Sequence, residues 1–401
     1  MTRKSHIRAA DIRGYSRLAV DATIGLTRLV ESMHHNIART PGPLGEYSRE
    51  PAGGITGLVY RSIQGTTRLV GSGIDALLGK LLPLLEPQLA PSSAAREAIL
   101  AALNGVLGDH LAASANPLAI PMQLRHNGQP LVLTPQHLAA AIPRPGGRIL
   151  LLVHGLCMND LQWQRNGHDH GAALAAAAGF TPLYLHYNSG QHISSNGRAL
   201  AAILETLLQA WPVAVEQLAI IGHSMGGLLA HSACHYGRRA GHAWLQHLRQ
   251  LIFLGTPHHG APLERGGNWV NVILEVSPYT AALARLAKIR SAGITDLRHG
   301  SIVDADWKHG DRFAHKKHRT PVPLPAGVKC CAAGATLAAG ASAAELPGDG
   351  LVPLRSALGQ HAEAERSLNF PESQQWVGYG MNHLDLLDSA GVCEQLQKWL
   401  A

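Results

Sequence analysis

The sequence predicts an α/β fold with a mostly parallel central sheet, because short apolar runs alternate with helical segments over residues 148–255. We predict strands at 148–153, 182–187, 218–222 and 250–255, and helices near 170–178, 198–210 and 225–240. Each apolar run has about the length of a strand that is buried on both faces. Because a helix separates each strand from the next, we expect parallel pairing with helices on both faces of the sheet.

Further elements are predicted on either side of this alternation. Asn127-Gly128 separates two strand-like segments, which is the strongest short signal for a β-hairpin. Thr134 is predicted to cap a helix whose first residue is Pro135. The last strands are predicted at 328–333 and 375–378, followed by a closing helix near 389–400.

The chain divides into three regions by composition. Residues 1–118 form a predicted N-terminal helical segment, with apolar residues at helical spacing in 17–38, 55–85 and 93–113. The main domain is predicted at 119–401, and within it 256–326 is rich in Gly, Pro and His. An insertion after the sixth strand is typical of a lid or cap over the carboxyl edge of a sheet.

The composition favours a large folded core. The 401 residues are 46% hydrophobic and 15% charged, with a formal net charge of +7. The densest basic cluster, between 309 and 319, is interpreted as a solvated loop, and its lack of interleaved aromatic residues argues against nucleic acid as a partner. No histidine or cysteine spacing typical of zinc is present, so we predict neither a metal nor a cofactor.

The five cysteines follow no disulfide framework and are interpreted as small core residues in a reducing compartment. The basic N-terminus is not followed by the apolar stretch of a secretory signal. No apolar run is long enough to span a membrane, so a cytoplasmic location is expected. The N-terminal helices are predicted to pack on the main domain or, alternatively, to lie on a lipid or hydrophobic-granule surface.

Residues 222–226 read Gly-His-Ser-Met-Gly and lie between a predicted strand and a predicted helix. A serine at such a junction lies on a sharp, strained turn that exposes its hydroxyl above the sheet, and side chains at the flanking glycines would crowd the turn. We therefore predict that Ser224 is a catalytic nucleophile.

A serine nucleophile requires a histidine base and an acid that orients the histidine. His383 lies in a loop just after the last predicted strand, and Asp349 lies in a Gly-Asp-Gly turn after the preceding one. These positions predict His383 as the base and Asp349 as the acid. Alternative acids are Asp304, Asp306 and Asp385, of which Asp385 is too close to His383 in sequence to reach its ring easily.

The oxyanion of the intermediate requires backbone N–H donors. We predict the amide of Met225, which follows the nucleophile at the start of a helix, and the amide of Leu156, which follows His154-Gly155 after a predicted strand. Cys157 is interpreted as a packed thiol.

These motifs, together with Gly255-Thr256-Pro257-His258, resemble the α/β-hydrolase superfamily. The resemblance is strongest to its lipase-like serine esterases, the bacterial triacylglycerol lipase and GPI inositol-deacylase-like branch. It covers about residues 120–401. It implies hydrolysis of carboxylic esters through an acyl-enzyme, without a cofactor, by Ser224, Asp349 and His383.

The expected substrate is an ester of a hydrophobic acyl group. Five residues are predicted to contact it: His154, Gly155, His223, Trp269 and Ile273. The same three catalytic residues would also serve a thioesterase, a polyester depolymerase or an acyltransferase, which the sequence does not separate. A non-enzymatic adaptor at a lipid or granule surface is a further alternative.

Overall fold

The computed structural model describes residues 10–24, 72, 75, 93–261, 291–308, 319–340 and 348–401. The chain divides into a smaller unit, Met1–Arg96 with Ala113–Ala119, and a larger unit, Glu97–Ala112 with Ile120–Ala401. The predicted boundaries at 118/119 and of the cap at 256–326 stay predictions. None of the described helices combines the length and apolarity needed to cross a membrane.

In the smaller unit, residues 10–24 form helix α1. The carboxylate of Asp75 accepts hydrogen bonds from Arg13 at 2.7 Å and from Arg17 at 2.5 Å. Asp11 on the same helix pairs with Arg96, whose Nε lies 2.7 Å from Oδ2. Ion pairs therefore connect the helix to chain segments far away in sequence.

The larger unit contains one eight-stranded sheet in the order β2-β1-β4-β3-β5-β6-β7-β8. Strand β1 pairs antiparallel with both of its neighbours, β2 and β4, and all pairs among β3 to β8 are parallel. The fold class predicted from the alternation is confirmed. The strands are β1 Gln123–His126, β2 Gln129–Pro130, β3 Arg148–Val153, β4 Thr181–His186, β5 Gln217–His223, β6 Leu248–Leu254, β7 Lys329–Thr336 and β8 Gln375–Tyr379.

The helices lie mainly between these strands, as predicted. Thr134 accepts the hydrogen bond that caps α3, and Pro135 is its first residue, both as expected. The helices are α2 Ala94–Ala113, α3 Pro135–Ala141, α4 His170–Ala178, α5 Ile193–Ala210, α6 Met225–Ala240, α7 Ala292–His299, α8 Leu354–Ala357 and α9 Ala390–Leu400.

Alternate residues of the central strands face opposite sides of the sheet. Leu151 and Ile220 belong to an apolar cluster that includes residues of α5 and α6. Leu150 and Ile221 belong to a second cluster with residues of α4 and α9. Because both faces are covered, the central strands are apolar over most of their length, which is why they are recognisable in the sequence.

Helix α5 begins at Ile193, whereas the sequence predicted a start at 198. The carboxylate of Asp296, on α7, accepts the Ile193 amide hydrogen at 2.9 Å and so caps the helix from a distant part of the chain. In addition, Gly197 lies so close to α6 that a Cβ would be 2.2 Å from Ser232 Oγ. The first turn is thus stabilised by tertiary contacts that local sequence does not reveal.

Residues 97–112 of α2, expected within the N-terminal segment, belong to the larger unit. Ser291 Oγ donates to the Gly105 carbonyl at 2.7 Å, and Asn188 Nδ2 donates to the Gly108 carbonyl at 2.8 Å. A Cβ at Gly108 would lie 1.8 Å from Asn188 Oδ1. These small residues allow the close approach that joins the helix to the sheet domain.

Candidate active site

Ser224 occupies a strained turn between β5 and α6. Its φ of 54° and ψ of −124° place a residue other than glycine in a region of positive φ that favours glycine, which costs about 1–3 kcal/mol. The turn is fixed by a hydrogen bond from the Ser224 amide to the Leu254 carbonyl at 2.8 Å. Ser224 therefore lies at the carboxyl edge of the sheet, which is the position expected for the predicted nucleophile.

The glycines on either side of Ser224 are required by contact distances. A Cβ at Gly222 would lie 2.5 Å from the Gly227 Cα. A Cβ at Gly226 would lie 2.2 Å from the Val153 carbonyl oxygen, and that atom belongs to rigid strand backbone. A side chain at either position would therefore force the backbone around the turn to move.

Asp349 and His383 form a buried hydrogen-bonded pair. His383 Nδ1 donates to Asp349 Oδ2 at 2.7 Å, and the His383 amide donates to the Asp349 carbonyl at 3.1 Å. The other carboxylate oxygen, Oδ1, accepts from the amides of Leu351 and Val352 at 2.9 and 2.8 Å. Because the carboxylate only accepts, the His383 proton lies on Nδ1 and Nε2 keeps its lone pair.

The three alternative acids lie in other hydrogen-bond arrangements. Asp304 pairs with Arg198 Nη1 at 2.7 Å. Asp306 accepts from the amides of Ile302 and Thr320. Asp385 accepts from the amide of Asn382 at 2.7 Å and so shapes the loop that carries His383. Among these carboxylates, only Asp349 is hydrogen-bonded to the imidazole of His383.

The imidazole of His383 lies against both chain segments that surround Ser224. Its ring centroid is 4.7 Å from that of His223, the neighbour of Ser224 in sequence. A Cβ at Gly255, which follows Leu254, would lie 3.0 Å from His383 Cε1. Among the described residues the Ser224 hydroxyl has no hydrogen-bond partner, and contacts of this kind commonly tighten only when substrate binds.

The two predicted oxyanion donors lie beside the same turn. The amides of Leu156 and Met225 make no hydrogen bond to another group within the described part of the chain. The two segments are in contact, since a Cβ at Gly155 would lie 3.1 Å from Ser224 Cβ. The arrangement leaves two N–H groups for a ligand oxygen near the serine.

Cys157 follows the first of these donors and has a φ of 59°. Its amide donates to Ser189 Oγ at 3.1 Å. Burial raises the pKa of the thiol to about 12, so that the thiol stays protonated near neutral pH. It acts as a packed residue, as the sequence analysis interpreted it.

His154 and His223, predicted as substrate contacts, lie beneath the site. They are 0% and 1% exposed. His154 Nδ1 donates to the Gly155 carbonyl at 2.9 Å, and His223 Nε2 donates to the His383 carbonyl at 3.2 Å. Both side chains therefore support the backbone of the site in this structure. The other predicted contacts, Trp269 and Ile273, lie outside the described residues.

Tyr187 supports the same loop and is not among the site residues predicted from the sequence. Its hydroxyl donates to the His154 carbonyl at 2.9 Å, and its ring stacks on the His154 ring with centroids 4.3 Å apart. A tyrosine directly after β4 is the only signal that the sequence offers for this contact.

Comparison with known proteins agrees with this architecture. Residues 144–326, fewer than half of the 401, match the family model described as "PGAP1-like alpha/beta domain". A search of curated proteins gave no significant match. The matched segment contains strands β3 to β6 of the parallel sheet and the turn that carries Ser224.

Several solved structures of lipases and esterases are similar to parts of this chain. The mature Bacillus licheniformis lipase BlEst2 is 18% identical with a TM-score of 0.42, over 64% of this chain and 94% of that one. EstA from Clostridium botulinum is 12% identical with a TM-score of 0.38, over 64% and 87%. Aspergillus fumigatus lipase B is 12% identical with a TM-score of 0.39, over 94% and 81%.

Proposed function

We propose that this protein is a serine hydrolase that cleaves carboxylic esters of hydrophobic acyl groups through an acyl-enzyme. The observation that carries the proposal is the 2.7 Å hydrogen bond between Asp349 and His383, whose ring lies against the segments that hold Ser224. The sequence predicted these three residues in the chain order serine, acid, histidine.

In the proposed reaction, His383 Nε2 takes the proton of the Ser224 hydroxyl as its Oγ attacks the ester carbonyl. The negative oxygen of the tetrahedral intermediate accepts hydrogen bonds from the amides of Leu156 and Met225. His383 then gives its proton to the departing alcohol, and Ser224 keeps the acyl group. A water molecule, deprotonated by His383, hydrolyses this acyl-enzyme and regenerates the serine.

The acyl group is proposed to contact the segment that contains Trp269 and Ile273, which the sequence places in the predicted cap. The expected preference is for medium or long acyl chains over acetate, because apolar side chains bind apolar chains through buried area. The N-terminal helical segment is proposed as a contact to a lipid or granule surface. Removing residues 1–92, which precede α2, should reduce binding to such a surface more than turnover of a soluble ester.

The decisive experiment combines covalent labelling with turnover. The wild-type protein should react with a fluorophosphonate probe and hydrolyse p-nitrophenyl esters, while Ser224→Ala should do neither. Ser195→Ala is the matched control, since this half-buried serine lies on α5 and accepts a hydrogen bond from Arg198 at 3.3 Å. Labelling that persists in Ser224→Ala would assign the nucleophile to another residue.

The same catalytic residues would act on other acyl groups, so the substrate class needs its own measurement. We expect kcat/KM for an ester to exceed that for the thioester and the amide of the same acyl group. A thioester preference would identify a thioesterase. Absence of turnover with any of them, in a folded protein, would favour the adaptor hypothesis.

A further inference from the structure

A cluster of two histidines and one cysteine lies behind the His383 loop. Among the described residues, one ligand atom each from His168, His170 and Cys393 lies within 4.8 Å of the others. His168 Nε2 and His170 Nδ1 are 2.8 Å apart. Imidazole nitrogen and thiolate sulfur are the ligands that zinc prefers in proteins.

We propose that His168, His170 and Cys393 bind a zinc ion, with a water molecule as fourth ligand. The proposal concerns binding only, so it does not depend on the proposed function.

His170 is already oriented as a metal ligand. Its Nε2 donates to the Leu386 carbonyl at 3.0 Å, and because a carbonyl only accepts, the ring proton lies on Nε2. The lone pair of Nδ1 therefore points toward the cluster. A ligating histidine whose second nitrogen donates to a backbone carbonyl is the usual arrangement in protein metal sites.

The zinc ion would replace the proton that His168 shares with His170. Tetrahedral zinc with Zn–N distances of about 2.0–2.1 Å holds two ligand nitrogens about 3.4 Å apart, so the rings need to separate by roughly half an ångström. His168 moves its proton from Nε2 to Nδ1, and Cys393 loses its thiol proton to solvent. One Zn²⁺ thus enters, one H⁺ leaves, and the site carries one positive charge.

The burial of the three side chains and the weak hydrogen bonding of the thiol also favour metal binding. His168 is half-buried, so an ion reaches the cluster from solvent, whereas His170 and Cys393 are buried. Within the described part of the chain, the side-chain hydrogen bond of the Cys393 sulfur is a weak one, from Gln397 Nε2 at 3.9 Å. The thiol is therefore not committed to a strong hydrogen bond that zinc would have to displace.

The position of the cluster gives the ion a structural role. His170 is the first residue of α4, Cys393 lies in the first turn of α9, and Leu386 lies in the 3-10 helix Asp385–Leu387. This short helix begins two residues after His383 in the chain. A zinc ion would join α4 to α9 and, through His170, hold the loop that carries the proposed base.

The test uses the full-length reduced protein, stripped of metal and titrated with Zn²⁺ against a chromophoric chelator. We expect the wild-type protein to bind one equivalent of Zn²⁺ tightly and Cys393→Ser to bind it at least tenfold more weakly. Zinc should raise the Tm of the wild-type protein but not that of the variant. With Co²⁺ in place of zinc, wild type should show a thiolate-to-cobalt charge-transfer band. Cys330→Ala, which removes a buried thiol elsewhere in the core, should keep both the tight site and the band.

The chain contains 24 histidines, so background binding is measured in the double variant His168→Gln/Cys393→Ser. His168→Gln alone, at a half-buried position, provides a milder variant if Cys393→Ser fails to fold. Wild-type binding no tighter than in the double variant, or a cobalt spectrum without the thiolate band, would overturn the proposal. Either result leaves the serine hydrolase proposal untouched, because labelling and turnover do not measure metal.

Discussion

At the scale of single residues, Asp349 determines which nitrogen of His383 carries the proton. In Asp349→Asn, the amide oxygen can keep the hydrogen bonds from Leu351 and Val352, which leaves the amide NH₂ facing His383 Nδ1. The ring proton then moves to Nε2, which can no longer accept the proton of Ser224. We expect kcat on a soluble ester to fall by about 10⁴, as for the same change in serine proteases.

Asp304→Asn is the matched control for this prediction. Asp304 forms an ion pair with Arg198 and Lys308 and has a side chain that is 22% exposed. The activity of this variant should stay within about threefold of wild type, since surface ion pairs contribute little to stability. A large loss in Asp304→Asn with full activity in Asp349→Asn would transfer the role of acid to Asp304.

Individual site residues could be predicted from the sequence where they follow a predicted strand and lie in a glycine-containing turn or loop. Ser224, Asp349 and His383 each follow a recognisable strand, and parallel strands bring those ends to one edge. Chain order favours Asp349 over the alternative acids, but the sequence does not show which carboxylate contacts His383. A tyrosine directly after β4 is too weak a signal to identify Tyr187 as part of the site. The cluster of His168, His170 and Cys393 was also missed, because Cys393 lies far along the chain from the two histidines and no local spacing connects the three.

At the scale of elements, the turn between β5 and α6 tolerates no side chain at Gly226. Gly226→Ala would place its Cβ 2.2 Å from the Val153 carbonyl and 2.6 Å from that of His154. Both atoms belong to backbone that forms the site, so we expect a loss of about 1–3 kcal/mol in the free energy of unfolding. Urea titration measures this loss of stability, and an assay with a soluble ester should show reduced esterase activity.

Gly340→Ala provides the comparison. Among the described residues, a Cβ at this position would meet no atom within 4 Å. Its free energy of unfolding should therefore stay within about 0.5 kcal/mol of wild type. Equal stability of the two alanine variants would show that the backbone of the turn relaxes freely.

A buried ionic cluster joins α2 to the sheet. Arg125 Nη1 lies 3.2 Å from Glu97 Oε2 and 2.9 Å from Asp160 Oδ1, and His186 Nδ1 lies 3.0 Å from Asp160. Arg125→Met leaves the two carboxylates buried without their guanidinium. We expect a loss of about 3–5 kcal/mol in the free energy of unfolding, measured by urea titration.

Arg239→Met removes an arginine from the exposed end of α6 and serves as control. It should change the free energy of unfolding by less than about 0.5 kcal/mol. Because Asp160 ends the loop that begins at His154, Arg125→Met should also raise KM or lower kcat in whatever fraction stays folded. Unchanged stability would mean that water enters and solvates the carboxylates.

Elements were predictable where local pattern and tertiary environment agree. The bounds of β3 and α6 coincide with the prediction, because strand burial on both faces and the glycine-rich turn are visible in the local sequence. Helix α5 was predicted to begin too late, since Ser194, Asn196 and Gly197 favour a helix only weakly. Its start depends on Asp296, which lies about a hundred residues away, and no local pattern encodes that contact.

At the scale of the whole molecule, buried histidines make stability depend on pH. Burial lowers the pKa of His154 to about 3 and that of His231 to about 4. Burial also holds the pKa of His223 and His258 well below the ordinary value. In the unfolded chain each returns to about 6.5, so between the two values the unfolded state binds more protons. The free energy of unfolding therefore decreases as pH falls below about 6.5.

Each such histidine contributes up to about 1.4 kcal/mol per pH unit in that window. We expect the urea midpoint to fall steeply from pH 7 to pH 5 and to change little from pH 7 to pH 8. In His231→Gln, the side-chain amide can replace the hydrogen bond that Nε2 donates to the Pro323 carbonyl at 3.0 Å, without a group that titrates. Below pH 6.5, the free energy of unfolding of this variant should therefore decrease less steeply with falling pH, by the contribution of one histidine. Equal midpoints at pH 5 and pH 7 in the wild-type protein would show that these rings become protonated without unfolding, and the prediction would be wrong.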